Sequence, residues 1–361
     1  MLPRYYSYTQ FEDYLQKILH ALNGTVLQDL IIGKSVLQRP IYGLKFGSGK
    51  VRVLAWSQMH GNESATTRAI CELLKRSDLD YLLEDIELYI IPILNPDGAE
   101  NWTRVNANNV DLNRDAVLLS QPESIVLRKV CDDFQPHYCF NLHGQRSMYG
   151  SLNGSTPAQL SFLAPSGDQK KSLSVARIKA MRVINSINTN LNHRVDGIIG
   201  RYKDDFNRNC VGDFMMNSHV PTVLFEAGHS GADYSRDKVS MLVYQALVIA
   251  LKSVGTNQIL DADVVSAYES IPEMSTAYVD ILIKNVPTPI GNRHLSIQYH
   301  EQVREGELYF IPILIGVNRE DVLNGHRVID LLGHHHFKND LIVEGSFEIY
   351  SESLNIKIFA N

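Results

Sequence analysis

The chain has 361 residues, of which 44% are hydrophobic and 20% charged, and a formal net charge of −6. That length suits two domains, or one large domain with an addition, and the composition is that of a globular protein with a substantial core. A small acidic excess with no Lys/Arg cluster argues against a nucleic-acid partner or binding to an anionic membrane.

The amino terminus, MLPRYYSYTQFEDYLQ, lacks the apolar core of a signal peptide. No run of about 18 apolar residues predicts a transmembrane helix. Cys71, Cys131, Cys139 and Cys210 are scattered, with no C-x-x-C pair. They read as buried free thiols of a reducing compartment, so the expected location is cytoplasmic.

Residues 9 to 22 carry Phe11, Tyr14, Leu15, Ile18, Leu19 and Leu22 at helical spacing. The stretch LQDLIIGKSVLQRPIYGLKFGSGK then alternates apolar runs with glycine-containing turns, which predicts a hairpin. It is no phosphate loop: Gly49-Lys50 is followed by Val51, and Leu44 stands where the first glycine is needed.

VRVLAW (51–56), ELYIIPIL (87–94), HYCFNLHG (137–144) and TVLFEA (222–227) read as fully buried strands. Between them, 64–76, 121–133, 170–192 and 236–252 read as helices. Together these predict an α/β domain over 1–255: a mixed, mostly parallel central sheet with helices on both faces. Such sheets bind ligands beyond the carboxyl ends of their strands. After 255 short β-like segments replace the helical pattern, which predicts a small, mostly-β accessory domain over 262–361.

Each apolar strand delivers polar groups at its end. His60 and Glu63 follow the first, and Asn95, Asp97, Arg104, Asn113 and Arg114 follow the second. His143 and Glu226 close the other two. Histidine, glutamate and histidine form one of the ligand sets of a catalytic zinc. Residues three apart at a helix start share a face, so His60 and Glu63 can reach one ion, and Gly61 permits a sharp turn off the strand. His143 is the best-placed third ligand. One carboxylate and two neutral imidazoles leave Zn²⁺ with net positive charge, enough for Lewis-acid chemistry. Taken singly, these residues have plainer readings. H-x-x-E marks many surface helix starts, Glu226 can close a salt bridge to an arginine, and Asp111 and Arg114 can pair to cap a loop.

As an ordered set, the residues resemble the zinc carboxypeptidases of the carboxypeptidase A type. His60-Gly-Asn-Glu63, Asn95-Pro-Asp-Gly98, Arg104, Asp111-Leu-Asn113-Arg114, His143 and Glu226 stand in that family's order over roughly residues 30 to 230. The resemblance implies one zinc ion held by His60, Glu63 and His143. It implies that Glu226 is the general base and that Arg104 stabilises the oxyanion. Asn113 and Arg114 would grip the free carboxylate of a peptide or small amide substrate, making cleavage exo. Tyr202 is the nearest match to the tyrosine that closes over the substrate. Asp213 lies near the segment lining the side-chain pocket, where an acid favours Lys or Arg. His229, His137 and the His334-His335-His336 run offer no second metal site on this reading.

An alternative is a zinc-dependent amidohydrolase acting on N-acyl amino acids, like aspartoacylase and succinylglutamate desuccinylase. Those enzymes share H-G-N-E, D-L-N-R and an added β domain. The N-P-D-G segment and the upstream hairpin favour the carboxypeptidase. A catalytically dead binding module would need a broken ligand or base, and none is broken.

Overall fold

The computed structural model describes residues 1–22, 26–75, 82–154, 156–255, 263–286, 291–319, 322, 324–332, 348–351 and 356–359. The run His334-His335-His336 lies outside them.

Helix α1 (Tyr8–Leu22) buries Tyr8, Phe11, Leu15 and Ile18, the stripe expected of its helical spacing. The hairpin β1 (Val26–Lys34) and β2 (Pro40–Phe46) is antiparallel. Strand β3 (Val51–Ser57) leads into helix α2 (Ser64–Leu74), and β4 (Ile86–Ile91) into the short helix α3 (Pro96–Asn101). Helix α4 (Pro122–Phe134) precedes β5 (Tyr138–Gly144). Three strands that the apolar pattern does not single out follow: β6 (Tyr149–Ser151), β7 (Ala158–Leu163) and β8 (Ile198–Arg201). They are short or interrupted by small and polar residues, which hides them from a periodicity search. Helix α5 (Val175–Leu191) separates β7 from β8, and α6 (Val211–Asn217), β9 (Thr222–Ala227) and α7 (Asp237–Gly255) follow.

The eight-stranded sheet runs β1-β2-β4-β3-β5-β9-β7-β8. The pairs β4/β3, β3/β5, β5/β9 and β7/β8 are parallel, while the outer hairpin, β2/β4 and β9/β7 are antiparallel. The sheet is thus mixed and mostly parallel.

Strand alternation divides the core in two. Val53, Ala55, Phe140, Leu142, Val223 and Phe225 face one side, packed with residues of α1, α2, α5 and α7. Leu54, Trp56 and Cys139 face the other, with residues of α4 and α6. Trp56, Phe140 and Phe225 are at most 1% exposed, and burying each stabilises the sheet by about 1.5–3 kcal/mol. Helix α7 has the length and hydropathy of a membrane span, yet 61% of its apolar window is buried in the protein. The four cysteines are free, and all but Cys210 are buried.

The carboxy-terminal part begins with helix α8 (Val264–Glu269), inside a stretch read from sequence as β-rich. Its Val264 and Tyr268 join the first core. The strand β10 (Met274–Thr276) pairs with β6. A separate sheet follows, built from β11 (Tyr278–Val286), β12 (Arg293–Arg304), β13 (Glu307–Val317), β14 (Asn324–Asp330), β15 (Glu348–Ser351) and β16 (Ile356–Phe359). Their order is β14-β11-β12-β13-β16-β15. Ile281, Ile283, Leu295 and Ile297 form its own small core.

Candidate active site

The turn after β3 positions the first two polar residues. Gln58 takes the left-handed conformation, with φ of 44°. Its amide donates to the Gly61 carbonyl at 2.6 Å, while its Oε1 accepts from Tyr6 Oη at 2.8 Å and Thr67 Oγ1 at 2.6 Å. His60 therefore sits in a turn, not on the first turn of a helix. The Glu63 amide closes that turn onto the His60 carbonyl at 3.1 Å, and Glu63 occupies the N-cap position of α2. This corrects the helix-face account of the spacing. The reason for Gly61 also changes: a Cβ there would lie 1.9 Å from the Gly98 carbonyl carbon, so close approach of α3 demands glycine.

The N-P-D-G segment is scaffold. Asn95 caps α3 by accepting from the Gly98 amide at 2.9 Å, with Pro96 in the first turn. Buried Asp97 ties the helix to the β1–β2 turn through Arg39 Nη1 at 2.7 Å and the Leu37 amide at 2.9 Å.

On β5 and β9 the alternation that sends Phe140, Leu142, Val223 and Phe225 into the first core sends Asn141, His143, Leu224 and Glu226 to the opposite face. His143 and Glu226 are paired in register across these parallel strands. A cavity of about 370 Å³ opens there, and His60, Glu63, Arg104, Asn113, Arg114, His143, Tyr202, Asp213 and Glu226 all line it.

Three of them converge. His60 Nδ1 lies 2.9 Å from Glu63 Oε1, His143 Nδ1 lies 3.0 Å from Glu63 Oε2, and the two Nδ1 atoms are 3.1 Å apart. Ligands around a tetrahedral zinc with bonds of about 2.0–2.1 Å sit about 3.3 Å from one another, so the group fits one ion. This is the only such group among the described residues, its ligand atoms lying within 4.8 Å of one another. The tautomer fits as well. His60 Nε2 meets Asp111 Oδ1 at 3.0 Å, which places the proton there and leaves Nδ1 bare. Buried His143 Nε2 has no hydrogen-bond partner among the described residues. Glu63 also accepts from the Gly144 amide at 2.9 Å. Despite its burial, the two histidines hold its carboxyl well below the usual range.

Asp111 stands in the ordered set read from the sequence, which gave it no role at the site. It does not pair with Arg114; it accepts from Arg104 Nε at 3.1 Å as well as from His60. Arg104 Nη1 is 3.6 Å from Glu63 Oε1. Arg114 donates to the Asn113 carbonyl at 2.7 Å and meets Cys210 Sγ at 3.0 Å. Asn113 Oδ1 accepts the Val211 amide at 2.9 Å at the start of α6, so its Nδ2 is the polar end left for a ligand. Buried Asn141, with neither side-chain amide atom bonded among the described residues, also lines the cavity. Its place two residues before His143, on the same strand face, was a readable signal.

The carboxylate of Glu226 makes no hydrogen bond or ion pair among the described residues, which removes the salt-bridge reading. Burial, then the charge of Glu63, pushes its pKa well above the ordinary range, with Arg104 opposing. Burial likewise pushes Asp213 up to about 7. The Tyr202 phenol is raised by burial and by Glu226, so it stays a neutral donor; its ring lies 5.0 Å from that of Tyr149. His229 is buried and bonded to the Gly231 carbonyl at 2.6 Å, and His137 accepts from the Arg52 amide at 3.0 Å; neither joins the metal group.

The fold and the His-Glu-His group define a zinc carboxypeptidase architecture. A metallo-carboxypeptidase from Burkholderia cenocepacia superposes with a TM-score of 0.57 at 16% identity, covering 69% of this chain and 70% of that one. One from Pseudomonas aeruginosa, in complex with (2-guanidinoethylmercapto)succinic acid, gives 0.53 at 18% identity, covering 69% and 70%. Carboxypeptidase 2 of Trichophyton tonsurans is 29% identical over 119 residues, 32% of this chain and 21% of that protein. The chain thus spans about a fifth of the length of that curated relative. Residues 12–159 match the zinc carboxypeptidase family model, Peptidase_M14.

Proposed function

We propose that the protein is a metallocarboxypeptidase that hydrolyses the carboxy-terminal peptide bond of peptides. The observation that carries this reading is a Glu226 carboxylate without a partner among the described residues, in register with His143 and beside a group fit for zinc. On this reading His60, Glu63 and His143 hold the metal, which supplies a Lewis acid to polarise the scissile carbonyl and activate water. Glu226 takes the proton of the attacking water and returns it to the leaving amine. Its raised pKa suits a base that must also give the proton back. Arg104 stabilises the developing oxyanion, and Asp111 holds both Arg104 and His60 in position.

Arg114 and the free Nδ2 of Asn113 bind the terminal carboxylate, which makes cleavage exo. Tyr202 closes over the substrate as a neutral donor. Asp213 faces the side chain of the released residue and favours Lys or Arg. The Pseudomonas aeruginosa protein named above was solved with a guanidine-bearing succinic acid, in keeping with that preference. Residues 1–255 form the catalytic unit and 262–361 the accessory one, and the site of action is cytoplasmic.

The test is to incubate purified, zinc-loaded protein with blocked dipeptides of varied terminal residue, and with N-acyl amino acids. Release of the terminal amino acid from the dipeptides, fastest for Lys or Arg, is expected. Release of only the acyl acid would assign it to the amidohydrolases.

A further inference from the structure

A second chamber, of about 350 Å³, adjoins the first. Glu63, Arg104, Gly144, Gln145 and Arg146 line both, so the two meet beside the metal group. Its far wall is Tyr299, His300 and Glu301 of β12, in the carboxy-terminal sheet, beyond the residues 12–159 matched by the family model. Two contacts fix that wall to the catalytic part. Glu301 accepts from Arg4 Nη2 at 2.5 Å and from Trp102 Nε1 at 3.0 Å. Nearby, His326 of β14 bonds the Ser147 carbonyl at 2.6 Å.

The chamber's charge is lopsided. Four guanidinium groups line it against two carboxylates, those of Glu63 and Glu301. Glu301 is engaged by Arg4, and Glu63 belongs to the metal group. Arg236 is buried among the carbonyls of Gln145, Ala227 and Gly228, with no carboxylate in contact among the described residues. Arg146 is exposed and makes no hydrogen bond or ion pair among the described residues. Gln145, only 5% exposed, keeps its Oε1 without a partner among the described residues. A buried acceptor and a free guanidinium at the junction of two chambers are what a bound peptide would complete. An N–H would meet the acceptor, and a carboxylate would meet the cation.

The first chamber takes the released residue, so the chain leading to the cleaved bond must leave by another route. We propose that the second chamber binds the substrate on the amino-terminal side of that bond and selects an acidic side chain there. This assigns the carboxy-terminal sheet a role in specificity. It rests on the carboxypeptidase reading of the site.

The test uses blocked tripeptides that share one carboxy-terminal residue and carry Glu, Ala or Lys in the two positions before it. An exposed cation facing one carboxylate gives up to about fivefold. The wild type should therefore favour Glu over Ala in kcat/KM by about fivefold, and disfavour Lys. Arg146→Ala should bring the Glu/Ala ratio to about one. Arg146→Lys should keep part of the preference, and Arg146→Glu should invert it. Equal rates for the three peptides in the wild type, or a preference that survives Arg146→Glu, would overturn the proposal. Calorimetric affinities of the same peptides for Glu226→Gln protein decide the point even where nothing is cleaved. Failure of the chamber and failure of the hydrolase reading are thereby told apart.

Discussion

Two carboxylates, one in each sheet, meet opposite fates. Asp280 on β11 is 1% exposed and accepts from Tyr234 Oη at 2.8 Å, from the Tyr299 amide at 2.7 Å and from Gln298 Nε2. Glu226 on β9 lies against the metal group with no donor of its own among the described residues. A satisfied buried carboxylate locks a structure, whereas a partnerless one is held at a cost in stability that only a ligand or a task repays. The polar atoms of Asn141, His143 Nε2 and Gln145 Oε1, also unpartnered, cluster at the same end of the central sheet.

The contrast breaks most visibly at Glu226. Glu226→Gln should leave zinc stoichiometry unchanged and thermal stability equal or higher, while turnover falls about 10³–10⁴-fold, the loss of a base serving two proton transfers. Retained turnover would sink the assigned role. His143→Ala should empty the site at chelator concentrations that the wild type withstands. Metal analysis after dialysis reads this, and wild-type retention would mean that another residue is the third ligand. Asp111→Ala removes the acceptor that orients His60, so zinc affinity should drop about 10–100-fold by competition with a chelating dye. Unchanged affinity would make Asp111 a bystander.

Asp280→Ala strands the Tyr234 hydroxyl and the Tyr299 amide. Denaturant titration should show a loss of about 1–3 kcal/mol, with zinc affinity intact. The reverse pattern would dissolve the distinction between the two carboxylates. The smallest effect concerns pH. Asp213 is neutral below about 7 and charged above it, so the preference for a terminal Lys over Ala should grow between pH 6 and pH 8. The gain should be no more than about fivefold, the scale of a single ion pair at the wall of a water-filled cavity. Asp213→Asn should flatten that profile, and an equally steep profile in the variant would clear Asp213 of the role.

Much of the site was legible because its pieces lie at strand ends, where an apolar run stops and a polar group begins. The four apolar strands, the β1–β2 hairpin and helices α1, α2, α4, α5 and α7 were readable from period alone. β6, β7 and β8 were not, since none carries a sustained apolar run. Neither was the true setting of His60, which depends on a left-handed Gln58 held by Tyr6 and Thr67. The role of Asp111 escaped because its partners, His60 and Arg104, lie 51 and 7 residues away along the chain.

By itself, then, the sequence determined which residue types end the buried strands and on which face of a strand each stands, because side-chain alternation is a local property of the backbone. Only the tertiary structure decided that β3, β5 and β9 lie side by side, so that His60, His143 and Glu226 meet. It alone also turned β12 into the wall of a second chamber. Pairings between strands so far apart in the chain are fixed by how the whole set of faces packs, and no local pattern records that choice.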